Sequence, residues 1–123
     1  MVRSAITLIW ILMAVWGVPV PQGDPARGEK QFEECASCHS IAAGENGVGP
    51  TLNGIFERKA ASLDDFRYSA AMRNSGITWT SETLNEFIAD PQKMVPGNRM
   101  AYSGLPTAAD RAELISYLQN ATK

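Results

Sequence analysis

Apolar positions along the chain form one uninterrupted run and several short stripes at helical spacing. The run is Ala5 to Trp16, AITLIWILMAVW, closed by Gly17-Val18-Pro19. Beyond it, Asp24 and Pro25 make an N-cap followed by a proline at the first helical position, and Gly28, Phe32 and Cys35 then share one helical face. Residues 40 to 58 are rich in glycine and end in Gly49-Pro50-Thr51-Leu52-Asn53-Gly54, a composition that predicts a long loop able to wrap a flat ligand. Ser69 to Asn74 predict a short helix stopped by Gly76, and Thr80 or Ser81 caps a helix through Leu84, Phe87 and Ile88 that ends before Pro91. Pro91 and Pro96 confine any further helix there to about one turn. Thr107 with Asp110 has the form of a capping box, and Leu114, Ile115, Tyr117, Leu118 and Ala121 supply the stripe of a C-terminal helix. The pattern predicts an all-α domain of helices joined by loops, without strands.

The first run lies apart from this domain. Met1-Val2-Arg3 gives it a positive start, and its 12 residues are too few for the roughly 20 that cross a bilayer, so residues 1–22 read as an export signal with a short linker. Val15-Trp16-Gly17 is a tolerable cleavage site but no Ala-x-Ala is present, which leaves a retained membrane anchor as the alternative. Either way residues 23–123 are expected outside the cytoplasm, in the periplasm of a bacterium. The 123 residues carry 11 basic and 13 acidic side chains, and only Arg3 of these falls within residues 1–22. A mildly acidic domain lacks the basic footprint of a nucleic-acid binder.

Chemistry concentrates in Cys35-Ala36-Ser37-Cys38-His39, which contains both cysteines and the only histidine. Two thiols at this spacing can take thioether bonds from the vinyl groups of one haem while the imidazole reaches the iron, the pattern of haem c attachment. A structural zinc site wants four ligands, and three adjacent residues cannot surround one ion. A thioredoxin-like pair needs no trailing histidine and belongs beside a βαβ pattern that is missing from the sequence. An electron-carrying haem also needs a sixth ligand, and with no second histidine a methionine thioether is the candidate. Met1 and Met13 belong to the export segment, and Met72 fits a packing or surface role. Position alone favours Met100, in the irregular stretch Pro96-Gly97-Asn98-Arg99-Met100, and keeps Met94 as the alternative.

Taken in order, these motifs resemble a class I cytochrome c of the bacterial cytochrome c2 and mitochondrial type over residues 23 to 122. The match rests on Gly28 to Phe32 ahead of the Cys-x-x-Cys-His segment, on Gly49-Pro50-Thr51-Leu52, on Gly76-Ile77-Thr78-Trp79, and on Asp90 to Met100. The resemblance implies the class I fold, with the first helix packed on the last through Gly28 and Phe32 against Leu114 and Tyr117. It implies a cofactor site of Cys35, Cys38, His39, Pro50, Arg58, Tyr68, Trp79 and Met100. In that set His39 and Met100 bind iron, the carbonyl of Pro50 accepts a hydrogen bond from His39, and Arg58, Tyr68 and Trp79 hold the haem propionates. Two departures stand out: Phe87 replaces a tyrosine that many relatives place near the methionine sulfur, and Met72 replaces an asparagine. Around the expected haem edge Lys93 and Arg99 are offset by Glu33 and Glu34, so no strongly basic docking ring is evident.

The function implied is a monomeric one-electron carrier that meets redox protein partners, some of them membrane-bound, and is not an enzyme. Two other readings compete with it. One is a haem enzyme or gas sensor with an open sixth position, opposed by the methionine-bearing segment and the lack of a distal histidine. The other is an anchored haem subunit of a dehydrogenase or oxidase.

Overall fold

The computed structural model describes residues 23–123; the export or anchor segment assigned to residues 1–22 lies outside them. Five helices follow in order: α1 Pro25–Ala36, α2 Ala70–Arg73, α3 Ser81–Ala89, α4 Pro91–Met94 and α5 Ala108–Ala121. Among the described residues there is no strand, only an isolated antiparallel bridge between Lys59 and Thr78, and no helix is long and apolar enough to cross a membrane.

Local chemistry sets most of the helix starts. The carboxylate of Asp24 accepts the amide of Ala26 and Pro25 opens α1, which spends on the cap a donor that would otherwise be orphaned. Thr80, not Ser81, caps α3, in a reciprocal box whose far member is Thr83: the Thr83 amide donates to Oγ1 of Thr80 at 3.2 Å and the Thr80 amide to Oγ1 of Thr83 at 2.7 Å. At α5 the expected capping box does not form, since the Thr107 side chain makes no cap hydrogen bond. Asp110 faces Gln31 of α1 instead. The approach to α5 is held by Arg111, which donates to the carbonyls of Leu105 and Pro106, both at 2.8 Å, and to Oδ1 of Asn85 on α3. Contacts to neighbouring helices outcompeted a local cap.

Helices α1 and α5 pack closely. A Cβ on Gly28 would lie 2.0 Å from the carbonyl oxygen of Glu113 and 2.8 Å from Cβ of Tyr117, so only a glycine permits this approach. One residue pair along, the rings of Phe32 and Tyr117 meet with centroids 5.4 Å apart. Between the helices sits buried Glu113, its carboxylate satisfied by Nε2 of Gln31 at 2.9 Å and by Arg27 at 3.4 Å. The core then runs through Leu114, Leu118, Leu84 and Ile88 to Trp79 and Phe87, whose rings lie 5.0 Å apart. Beside it lies a margin of half-buried apolar side chains from the loops and short helices, among them Leu52, Ile77, Met72, Met94 and Met100.

Candidate functional site

Helix α1 delivers the two thiols and the imidazole. It ends in a tight turn in which the amides of Cys38 and His39 both donate to the carbonyl of Cys35, at 3.1 and 2.9 Å, bringing the three side chains to one end of the helix. Both cysteines are free and half-buried. Burial, with a smaller contribution from neighbouring Glu34, pushes the Cys35 thiol up to about 11. A protonated, half-buried thiol suits an attachment point.

His39 is fixed by its other neighbours. Its Nδ1 lies 2.7 Å from the carbonyl oxygen of Pro50; a carbonyl only accepts, so Nδ1 carries the proton and the lone pair of Nε2 is left for a metal. The Gly49 amide in turn donates to the carbonyl of Cys38 at 2.9 Å, laying the loop along the ring. Contact there is so close that a Cβ on Gly49 would lie 2.3 Å from Cε1 of His39. Gly49→Ala is therefore expected to rotate the ring off Pro50, cost about 2 kcal/mol and speed solvent exchange of the ring N–H seen by proton NMR. An unchanged exchange rate would show that the loop yields instead of the ring.

The loop after Pro50 is held from inside. Buried Thr51 donates through Oγ1 to the carbonyl of Ala42 at 2.7 Å, while its amide donates to Oδ1 of Asn46, whose Nδ2 reaches the carbonyl of Asp65. Arg58 donates to the carbonyls of Thr51 and Asn53 at 2.8 and 2.9 Å. It thus has a structural task that its sequence position did not disclose. Trp79 is joined to the same place by its amide, which donates to the carbonyl of Arg58 at 2.9 Å.

Tyr68 lies close enough to Arg58 for their charges to interact: burial pulls the guanidinium down and Tyr68 opposes it, while burial pushes the phenol up and Arg58 opposes that. Tyr68 thus lies near Arg58, and Trp79 is tied to Arg58 through its backbone. A phenol raised in the folded state keeps its proton at a pH where the unfolded chain has released it, so stability falls as pH rises above the ordinary value of 10.0. The melting temperature of Tyr68→Phe should accordingly decline less steeply than that of the parent above that pH, and parallel declines would refute this assignment.

On the opposite side of the sequence pattern, Met100 is half-buried in the irregular stretch after α4. Its amide donates to Oδ1 of Asn98 at 2.9 Å. Asn98 is 7% exposed, and its Nδ2 donates to the carbonyls of Pro91 at 2.9 Å and Val95 at 2.8 Å. Sequence reasoning passed over Asn98; its one signal was an amide side chain inside the Pro-Gly-x-x-Met stretch. Met94 closes α4, its amide bonded to Asp90 in the regular helical manner, and Met72 lies in α2.

These residues fit a haem. Two unpaired thiols stand beside an imidazole whose free nitrogen is set by Pro50, a margin of apolar side chains suits a flat porphyrin, and a cation with a phenol at one corner suits its carboxylates. A family model described as Cytochrome c matches residues 25–122. Cytochrome c2 of Rhodoblastus acidophilus is 52% identical over 97 residues, 78% of this chain and 91% of that protein. Cytochrome c2 of Blastochloris viridis is 41% identical over 109 residues, 88% of this chain and 86% of that one. Among solved structures, cytochrome cH from Methylobacterium extorquens superposes with a TM-score of 0.75 at 40% identity, over 80% of this chain and 99% of its own.

Proposed function

The chain belongs to the cytochrome c family, and on that premise we propose that it shuttles single electrons in the periplasm with an iron held between His39 and Met100. Membership makes it a monohaem electron-transfer protein, with one covalently bound haem c, and not an enzyme. The haem supplies the redox centre, an iron that gains and loses one electron. The chain's own residues account for the rest. Cys35 and Cys38 would hold the group by thioethers. His39, its proton engaged by Pro50, presents Nε2 in a fixed orientation, so the ligand need not reorganise as the charge on the metal changes. Met100 offers a soft, uncharged sulfur that favours the reduced state.

Arg58, Tyr68 and Trp79 would hold the propionates, a role in which the guanidinium would offset charge that burial would otherwise penalise. Arg58 keeps that charge despite its burial because a guanidinium stays protonated throughout the ordinary pH range. The core of Trp79, Phe87, Leu84 and Ile88 excludes water behind the site, and nothing in the arrangement requires an acid, a base or a substrate cleft. The observation that carries the reading is the His39 to Pro50 hydrogen bond at 2.7 Å, because it leaves one imidazole nitrogen committed and the other available.

Export is supported by Arg3 followed by the apolar run in residues 1–22. The test is the ferric protein purified from a periplasmic extract. A methionine-to-iron charge-transfer band in the red, with no binding of carbon monoxide to the ferrous form, is the expected result. An absent band with ready carbon monoxide binding would instead establish an open sixth position, and retention in the membrane fraction would favour the anchored haem subunit.

A further inference from the structure

Two side-chain amides grip the stretch that carries Met100, one from each direction. From α4, exposed Gln92 reaches forward: its Nε2 donates to the carbonyl of Asn98 at 2.9 Å and its Oε1 accepts the amide of Gly97 at 3.2 Å. From the loop, Asn98 reaches back: its Nδ2 donates to the carbonyls of Pro91 and Val95, the first and last of which bracket α4, and its Oδ1 accepts the amide of Met100. The anchor is firm at the helix end, since Pro91 is fully buried and Val95 is 3% exposed. Gly97 takes a φ of 86°, the left-handed turn that lets the chain double back so that the two amides can cross.

We propose that this reciprocal pair, Gln92 and Asn98, positions Met100 and so decides how firmly the sixth ligand is retained against an incoming one. The inference rests on Met100 being that ligand. Without the Asn98 side chain the amide of Met100 loses its partner, while the carbonyls of Pro91 and Val95 keep only their backbone bonds from the amides of Val95 and Asn98, and an unmet amide in a half-buried place is costly. Water or a rearranged backbone can then satisfy it, and either outcome lets the methionine leave. Gln92 acts on the same loop through one half-buried and one exposed bond, so its loss should act in the same direction and less strongly.

The experiment is imidazole binding to the ferric holoprotein, followed by loss of the methionine-to-iron band. Asn98→Ala should raise the apparent imidazole affinity about thirtyfold, equivalent to ~2 kcal/mol, and Gln92→Ala about threefold. Asn98→Asp keeps an oxygen for the Met100 amide but turns its second oxygen, a buried acceptor, toward the two carbonyls that Asn98 donates to, so an affinity at least as high as that of Asn98→Ala is expected for it. Asn85→Ala is the control. It removes a comparable half-buried bond, from Nε of Arg111 at 2.8 Å, that joins α3 to α5 and touches neither α4 nor the Met100 stretch, and should lower the melting temperature without raising imidazole affinity.

Parent-like imidazole affinity in both clamp variants overturns the proposal, as does a rise no larger than Asn85→Ala gives. Should Asn98→Ala fail to fold, Gln92→Ala, on the surface, decides the matter alone. The ligand assignment fails separately: if Met100→Ala keeps the band, Met100 is not the ligand. If Met100→Ala loses the band and both clamp variants behave like the parent, only the clamp is wrong.

Discussion

Met100→Ala leaves the haem covalently attached, removes the methionine-to-iron band and opens the iron to imidazole or cyanide. Attachment should survive because Cys35, Cys38 and His39 sit on the α1 turn and are held by Pro50 and Cys38 backbone bonds that involve nothing near Met100. The reduction potential should fall on the order of 0.2 V, a quarter of the ~0.8 V over which axial ligands move haem potentials, since a thioether favours the ferrous state more than water does. Alanine also forfeits packing at the margin of the core, where Met100 touches buried side chains, and a loss of about 2 kcal/mol of stability follows from the low end of the cost of Met→Ala changes. Met94→Ala should keep the band. The reverse pattern, a band lost with Met94 and retained without Met100, would transfer the ligand to α4 and with it the whole reading of the loop.

Gly28→Ala should be among the most damaging single changes in the domain. By helix propensity alone alanine would stabilise α1 by about 1 kcal/mol. Sterics override this, because the new Cβ would lie 2.0 Å from the carbonyl oxygen of Glu113 and 2.6 Å from its carbon, both backbone atoms of α5 that no rotamer change can move. The helices must part instead, loosening the Phe32 and Tyr117 contact and the bonds from Gln31 and Arg27 to buried Glu113. A net loss of about 3 kcal/mol is a large share of the ~5–15 kcal/mol that holds a domain folded, and corresponds to a fall in melting temperature of roughly 15 °C. Thermal melting of the ferric holoprotein reads it. A melting point equal to or above the parent's would mean that α1 and α5 do not approach this closely.

Helix positions were legible wherever a local signal sufficed. Asp24-Pro25 announced α1, the spacing of Leu84, Phe87 and Ile88 announced α3, and Pro91 with Pro96 confined α4 to a single turn. Where a side chain had a choice between a local and a distant partner, the local guess failed. Asp110 had the right spacing for a capping box with Thr107, but lies against Gln31, 79 residues earlier in the chain. Glu113 interrupts an apolar stripe, and its burial becomes intelligible only beside Gln31 and Arg27 of α1. Arg58 could be read from resemblance as a propionate contact, yet its bonds to the carbonyls of Thr51 and Asn53 show that it also closes the loop around the site.

By itself the sequence determined the inventory and the local geometry. With two thiols and one imidazole in the whole chain, packed into five residues, the reactive groups admit few uses, and helical periodicity with its caps is written in residues three and four apart. Tertiary structure decided orientation. Which nitrogen of His39 keeps its proton depends on Pro50, how near α1 lies to α5 depends on Gly28 meeting the backbone of Glu113, and where Met100 stands depends on Asn98 reaching back to α4. The first two of these contacts join residues separated in sequence by a loop or by most of the chain. The third hangs on a backbone reversal, and in all three the bond forms only once the rest of the fold has fixed both partners.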